Sequence, residues 1–177
     1  MIERMLVAID GSGHAWRALD LAADLASKYD TSLMVLHVIS DRPLSEAEMR
    51  MADIEYHERI SRDFDANQLL DVRGDVRAMG ERLVAQSTET GRRIRQLLSE
   101  RLLHDAESRA RKRGVSKVET MSVSGEPSST ILRMAQQRKV QMIVMGSRGR
   151  SDLQGLLLGS TSHKVSQLST CTCVTVK

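Results

Sequence analysis

The sequence predicts a doubly wound α/β fold: a five-stranded parallel sheet with helices on both faces. Three observations carry that prediction. Five short apolar runs, Met5–Ile9, Thr31–Ile39, Val115–Val123, Val140–Met145 and Cys171–Val176, are separated by segments that hold helices. The first run is almost wholly apolar and stops at Asp10-Gly11-Ser12-Gly13, as a doubly covered strand does on leaving the core. The fourth run ends in Met145-Gly146, and a glycine-bounded stretch then leads to Gly159-Ser160-Thr161, where a helix begins.

Taken in order, the Met5–Ile9 strand is followed by a helix from His14 to Tyr29. Ala15, Leu19, Ala22, Ala23 and Ala26 recur on one face of it. Asp10 and Ser12 compete for its N-cap. The second strand, Thr31–Ile39, completes a βαβ unit, which implies parallel pairing and a right-handed crossover. His37 within it reads as a packed residue. From Ser40 the pattern changes. Residues 41–113 hold 15 acidic and 15 basic residues, so this segment is neutral while the rest of the chain carries the net charge of +3. Mixed signs at this density suit solvated helices with i,i+4 pairs. Ser45-Glu46-Ala47-Glu48 reads as a capping box opening a helix towards Phe64. Residues 67–80 are less regular. A helix over 81–113 is interrupted near Thr90-Gly91, and Gly114 is its natural C-terminal cap. The expectation is one domain over residues 1–177 with a charged helical insertion at about 41–113.

After the third strand, Gly125-Glu126-Pro127-Ser128 is a turn, and Pro127 opens a helix that continues through Ser129–Arg138 with Ile131, Leu132 and Ala135 inward. The Val140–Met145 strand, the glycine stretch, a helix over Ser160–Leu168 and the final strand complete the chain.

Composition narrows the function classes. Aromatics make up only 2% of the chain, so the core rests on aliphatic residues and ten Met. No basic cluster is interleaved with aromatics, which argues against nucleic-acid binding. No apolar run approaches the ~20 residues of a membrane span, and no signal segment is read at the N-terminus. Cys171 and Cys173 read as buried free thiols, poorly placed for a bond to each other and without evident partners for a metal. A cytoplasmic location is the expectation.

The chemistry concentrates at Met145–Thr161. Glycine allows positive φ and close approach of a ligand. A helix start offers free N–H groups and a partial positive charge, which suit phosphate. In doubly wound sheets ligands bind beyond the carboxyl ends of the strands, where Asp10, Val38 and Gly146 all fall. No Walker A lysine and no Ser/His/Asp or Cys/His set is present, so binding is favoured over turnover.

The pattern Gly146-x-x-Gly149, nine residues, then Gly159-Ser160 resembles the nucleotide motif of the universal stress protein family. Ala8-Ile9-Asp10-Gly11-Ser12, Leu36-His37-Val38-Ile39 and Val174-Thr175-Val176 are similar to that family's strand ends. The resemblance covers residues 3–40 and about 100–177. It implies an adenine nucleotide alpha hydrolase-like sheet of order 3-2-1-4-5 that binds ATP, with AMP or ADP as further ligands. Val38 would meet the adenine edge, Ala8 and Asp10 the adenosine, and Met145 and Gly146 the ribose, where a larger side chain at Gly146 would intrude. Arg148, Gly149, Gly159, Ser160 and Thr161 would surround the phosphates, with Mg²⁺ or Mn²⁺ held by the phosphates and water. Thr172 stands where the family often has proline. The resemblance implies a regulatory stress-response protein, with a homodimer through the edge strand Cys171 to Val176 and a protein partner of unknown identity. A slow ATP hydrolase or nucleotidyl-transfer enzyme, and a docking module that uses the insertion, are the alternatives.

Overall fold

The computed structural model describes residues 2–40, 89–149 and 158–177. The chain divides into two units, Met1–Ser40 with Ser99–Lys177, and Asp41–Leu98. In the first unit five strands form one all-parallel sheet: β1 (Arg4–Ile9), β2 (Ser32–Ile39), β3 (Val118–Ser124), β4 (Met142–Gly146) and β5 (Thr172–Val176). Their order is β3-β2-β1-β4-β5, as expected from the resemblance. The register sets Ala8 beside Leu36 on one side and Met145 on the other. The chain winds one way from β1 through β2 to β3, then returns to the far side of β1 as β4. The strand order therefore reverses between the carboxyl ends of β1 and β4.

Alternation along the strands feeds two cores. Met5, Val7, Ile9, Leu33, Val35 and Val144 point to one face, Leu6, Met34, Leu36, Ile143 and Met145 to the other. On the first face lie α1 (Gly13–Tyr29) and the later turns of α2 (Glu89–Lys112); on the second, α3 (Pro127–Gln137) and α4 (Ser160–Leu168). The near-continuous apolar reading of β1 follows, since Leu6 and Val7 are both fully buried although they face opposite ways. Edge strand β3 shows only partial burial along its length, which explains its polar sequence Val-Glu-Thr-Met-Ser-Val-Ser.

Helix ends follow local chemistry. Ser12 caps α1, its hydroxyl accepting the Ala15 N–H, so Ser12 rather than Asp10 holds that place. Beyond α2, Gly114 takes φ 87°. Its N–H bonds the Arg111 carbonyl while the Val115 N–H bonds that of Ala110, the paired bonds of a Schellman motif. The same pair ends α3 from Lys139 and Val140 to Gln136 and Ala135, with Lys139 forced to φ 53°. Pro127 does open α3, and Glu126 caps it through the Ser129 N–H.

The described helix begins at Glu89, beside the Thr90-Gly91 pair, and includes both residues; residues 81–88 lie outside the described residues. The part of α2 from Ser99 onward belongs to the sheet's own unit, with Leu103, Ala106 and Ala110 in the α1 core. Arg109 makes a two-pronged ion pair with Asp20 at 2.6 and 2.7 Å and lies over the Trp16 ring. Arg109's hydrogen bond holds the Asp20 carboxyl below the usual carboxylate range. The helix predicted from Ser45 and the irregular stretch over 67–80 lie outside the described residues.

Candidate functional site

The carboxyl ends of β1 and β4 meet at the start of α1. Asp10 follows β1 directly, and its Oδ1 accepts the Ser12 N–H at 2.9 Å. Gly11 turns the chain with φ 82°. The Ser12 hydroxyl, besides capping α1, lies 3.5 Å from the Arg148 carbonyl. On the β4 side, Ser147 is 2% exposed, and its backbone makes three tethers. Its N–H donates to the Val176 carbonyl at 2.7 Å. Its carbonyl accepts the Gly159 N–H at 2.7 Å and the Ser162 hydroxyl at 2.8 Å. The span leaving β4 and the helix it reaches are thus fastened to one residue.

The three motif glycines have three different physical reasons. A Cβ on Gly146 would lie 2.9 Å from the Ala15 nitrogen and the His14 carbonyl carbon. The obstacle the structure supplies there is the first turn of α1. A Cβ on Gly149 would come within 2.6 Å of Asp10 Oδ2, so this backbone lies directly against that carboxylate. Gly159 is the N-cap of α4 with φ −74°, and the atoms nearest an added Cβ are 3.5 Å away. Left-handed φ among the described glycines falls at Gly11, Gly114 and Gly125, so the positive φ expected of the motif glycines is not what selects them.

Helix α4 begins without a side-chain cap hydrogen bond. Its first turn carries Ser160, exposed, and Thr161, half-buried, and leaves the N–H groups of a helix start without intrahelical partners. The third hydroxyl, Ser162, turns inward and is 3% exposed. Met145 is 3% exposed in the α3–α4 core, so its side chain packs and only its backbone remains near the strand's end. Ala8 and Val38 are half-buried, Ala8 just short of β1's end and Val38 near that of β2. Arg148 and Gly149 are half-buried beyond β4. His37, whose Nδ1 lies 2.7 Å from the fully buried Ser99 hydroxyl, packs against α2 as expected.

Ser147 and Ser162 were not singled out from sequence. Their pairing spans fifteen positions, and the one local sign was a third hydroxyl after Ser160-Thr161. Glu126 was also missed as a cap. The Ser129 backbone N–H donated to its carboxylate, with the Ser128 and Ser129 hydroxyls beside it, lowers its pKa to about 2.

The class defined by this arrangement is a doubly wound α/β protein with an uncapped helix start beside its topological switch point. The chain belongs to the universal stress protein family, whose model matches residues 1–177. It is 34% identical over 177 residues to Universal stress protein YxiE of Bacillus subtilis (strain 168), covering the whole of both chains. The fold is shared with a universal stress protein crystallised in complex with cAMP (TM-score 0.60, 23% identity, 99% of this chain and 97% of that one). It is also shared with the universal stress protein from Archaeoglobus fulgidus in complex with dAMP (TM-score 0.56, 18% identity, 100% and 98%). Among the described residues no helix is long and apolar enough to cross a membrane.

Proposed function

We propose that this chain binds an adenine nucleotide, ATP with AMP or ADP as further ligands, at the crevice between β1 and β4, and acts as a nucleotide-dependent regulatory protein of the stress response. The observation that carries this reading is Gly159. Among the described residues the nearest atoms to a Cβ there are 3.5 Å away, and the backbone torsion does not call for glycine. Its bare position in front of an uncapped helix start is what a close-lying phosphate requires. The cAMP and dAMP complexes of the two structural relatives support adenine as the base.

In this reading Gly149, Gly159, Ser160 and Thr161 hold the phosphates with their N–H and hydroxyl groups, and the Arg148 charge adds to them. Val38 and Ala8 offer backbone to the base, Asp10 flanks the adenosine, and Met145 and Gly146 offer backbone to the ribose. The donor set suits an anion, and any Mg²⁺ or Mn²⁺ rides on the phosphates. The chain works in the cytoplasm. It pairs through the open edge of β5, Cys171 to Val176, as a homodimer, because a bare strand edge is a template for pairing.

The test is native purification, denaturation and mass spectrometry of the released small molecules, followed by calorimetric titration with ATP, ADP and AMP. An adenine nucleotide in the released fraction, and titratable binding that Gly159→Glu abolishes without unfolding the protein, is the expected result. Absence of binding at millimolar nucleotide refutes the proposal. For the dimer, Val174→Pro should give monomers by light scattering; an unchanged mass would defeat the β5 contact.

A further inference from the structure

Cys171 and Cys173 lie at the amino end of β5, the opposite end of the sheet from the crevice. Both are free and half-buried. They are two residues apart, so their side chains share one face, and both pack on the cluster beneath α3 and α4. That cluster includes Met34, Met134 and Met145. Ser169, the residue that ends α4, holds the first cysteine from three directions. Its hydroxyl accepts the Cys171 N–H at 3.2 Å, donates to the Cys171 carbonyl at 3.1 Å and lies 3.3 Å from the Cys171 sulfur. The Cys173 sulfur lies 3.7 Å from the Cys171 carbonyl and 3.9 Å from that of Val165. One hydroxyl thus lies within 4 Å of the Cys171 sulfur and two carbonyl oxygens within 4 Å of the Cys173 sulfur, where α4 ends.

We propose that Cys171 and Cys173 form a binding site for a soft monovalent d¹⁰ cation, of which Cu(I) is the representative. Soft thiolates select such a cation, and two of them complete its preferred coordination. The exchange balances as Cu⁺ plus two thiols giving one copper bis-thiolate anion and two protons, with no change of oxidation state. A closed zinc site needs four ligands. Among the described residues no group of three or more His, Cys, Asp or Glu is placed to hold a metal. This inference stands apart from nucleotide binding, since it involves none of the crevice residues.

The experiment is anaerobic titration of the reduced full-length protein with Cu(I) against the colorimetric chelator bicinchoninate. The expected result is one Cu(I) retained per chain, with affinity lowered at least tenfold in both Cys171→Ser and Cys173→Ser. Copper loading should also shield both thiols of the wild-type protein from alkylation by N-ethylmaleimide, read by mass spectrometry. This second readout needs no variant to fold. Failure of the wild-type protein to compete with the chelator overturns the proposal. So does a stoichiometry of one copper per two chains, a loss below tenfold in a folded single variant, or undiminished alkylation of the loaded protein.

Discussion

Gly146→Ala tests why β4 ends in glycine. The new methyl would sit 2.9 Å from the Ala15 nitrogen, the His14 carbonyl carbon and the His14 Cβ. Two of these are backbone atoms in the first turn of α1. That turn is held by the Ser12 cap and by the burial of Ala15 and Ala18 at 3% and 0% exposure, so it cannot rotate aside. Forcing one carbon into such a contact costs about 1–3 kcal/mol. For a protein of this length each kcal/mol is worth roughly 2–4 °C in melting temperature. The control is Gly159→Ala, where the nearest atoms are 3.5 Å away. The cost there is the difference between Gly and Ala as an N-cap, roughly 0.5 kcal/mol. Urea unfolding of nucleotide-free protein, followed by far-UV circular dichroism at unchanged m-value, measures both. The reasoning is refuted if Gly146→Ala lies within about 0.5 kcal/mol of wild type, the usual scatter of an indifferent substitution, or if the two substitutions cost the same. Nucleotide affinity should divide the pair the other way: Gly159→Ala loses it while keeping its stability.

Other substitutions probe the frame around the site. Ser162→Ala removes the buried hydroxyl that reaches the Ser147 carbonyl at 2.8 Å, and should cost about 1 kcal/mol in the same urea assay. Lys139→Gly relieves a left-handed residue at φ 53° and should raise stability by about 0.5–1 kcal/mol; a decrease would count against the Schellman reading of that turn. Glu126→Ala should cost about 1 kcal/mol near neutral pH, the usual worth of an N-cap. The Glu126 pKa falls from 4.5 to about 2 on folding. Its contribution is therefore complete above pH 4.5 and disappears as the pH falls towards 2. Urea midpoints of wild type and variant should converge across that window, and a pH-independent gap would contradict the assignment.

Much of this fold is legible because its strongest signals are local. β1 and β4 are buried from both sides, so each is an unbroken apolar run that ends where the core ends. Gly114 marks the end of α2 because a left-handed cap has an obvious residue type. The start of α4 is legible for the same reason, since glycine, hydroxyl and helix start follow one another within a few positions. What stayed hidden depends on distance in sequence or on an unusual choice of residue. Ser147 meets Ser162 only after the chain has gone out and returned. Glu126 caps α3 although serine, threonine, aspartate and asparagine are the usual caps. Met145 reads both as core and as a lining of the ribose, and the alternation of β4 turns its side chain into the core, as the first of these expects. At Gly146 the close approach of the α1 backbone was out of sight for the same reason of distance in sequence.

The fastening of α4 to Ser147 has a consequence for the first turn of that helix. The anchors are main-chain groups and the inward Ser162 hydroxyl, and none of them is the Ser160 side chain. Exchanging the exposed Ser160 should therefore leave the helix start in place, so that the charge and bulk offered at its mouth can change at little cost in melting temperature.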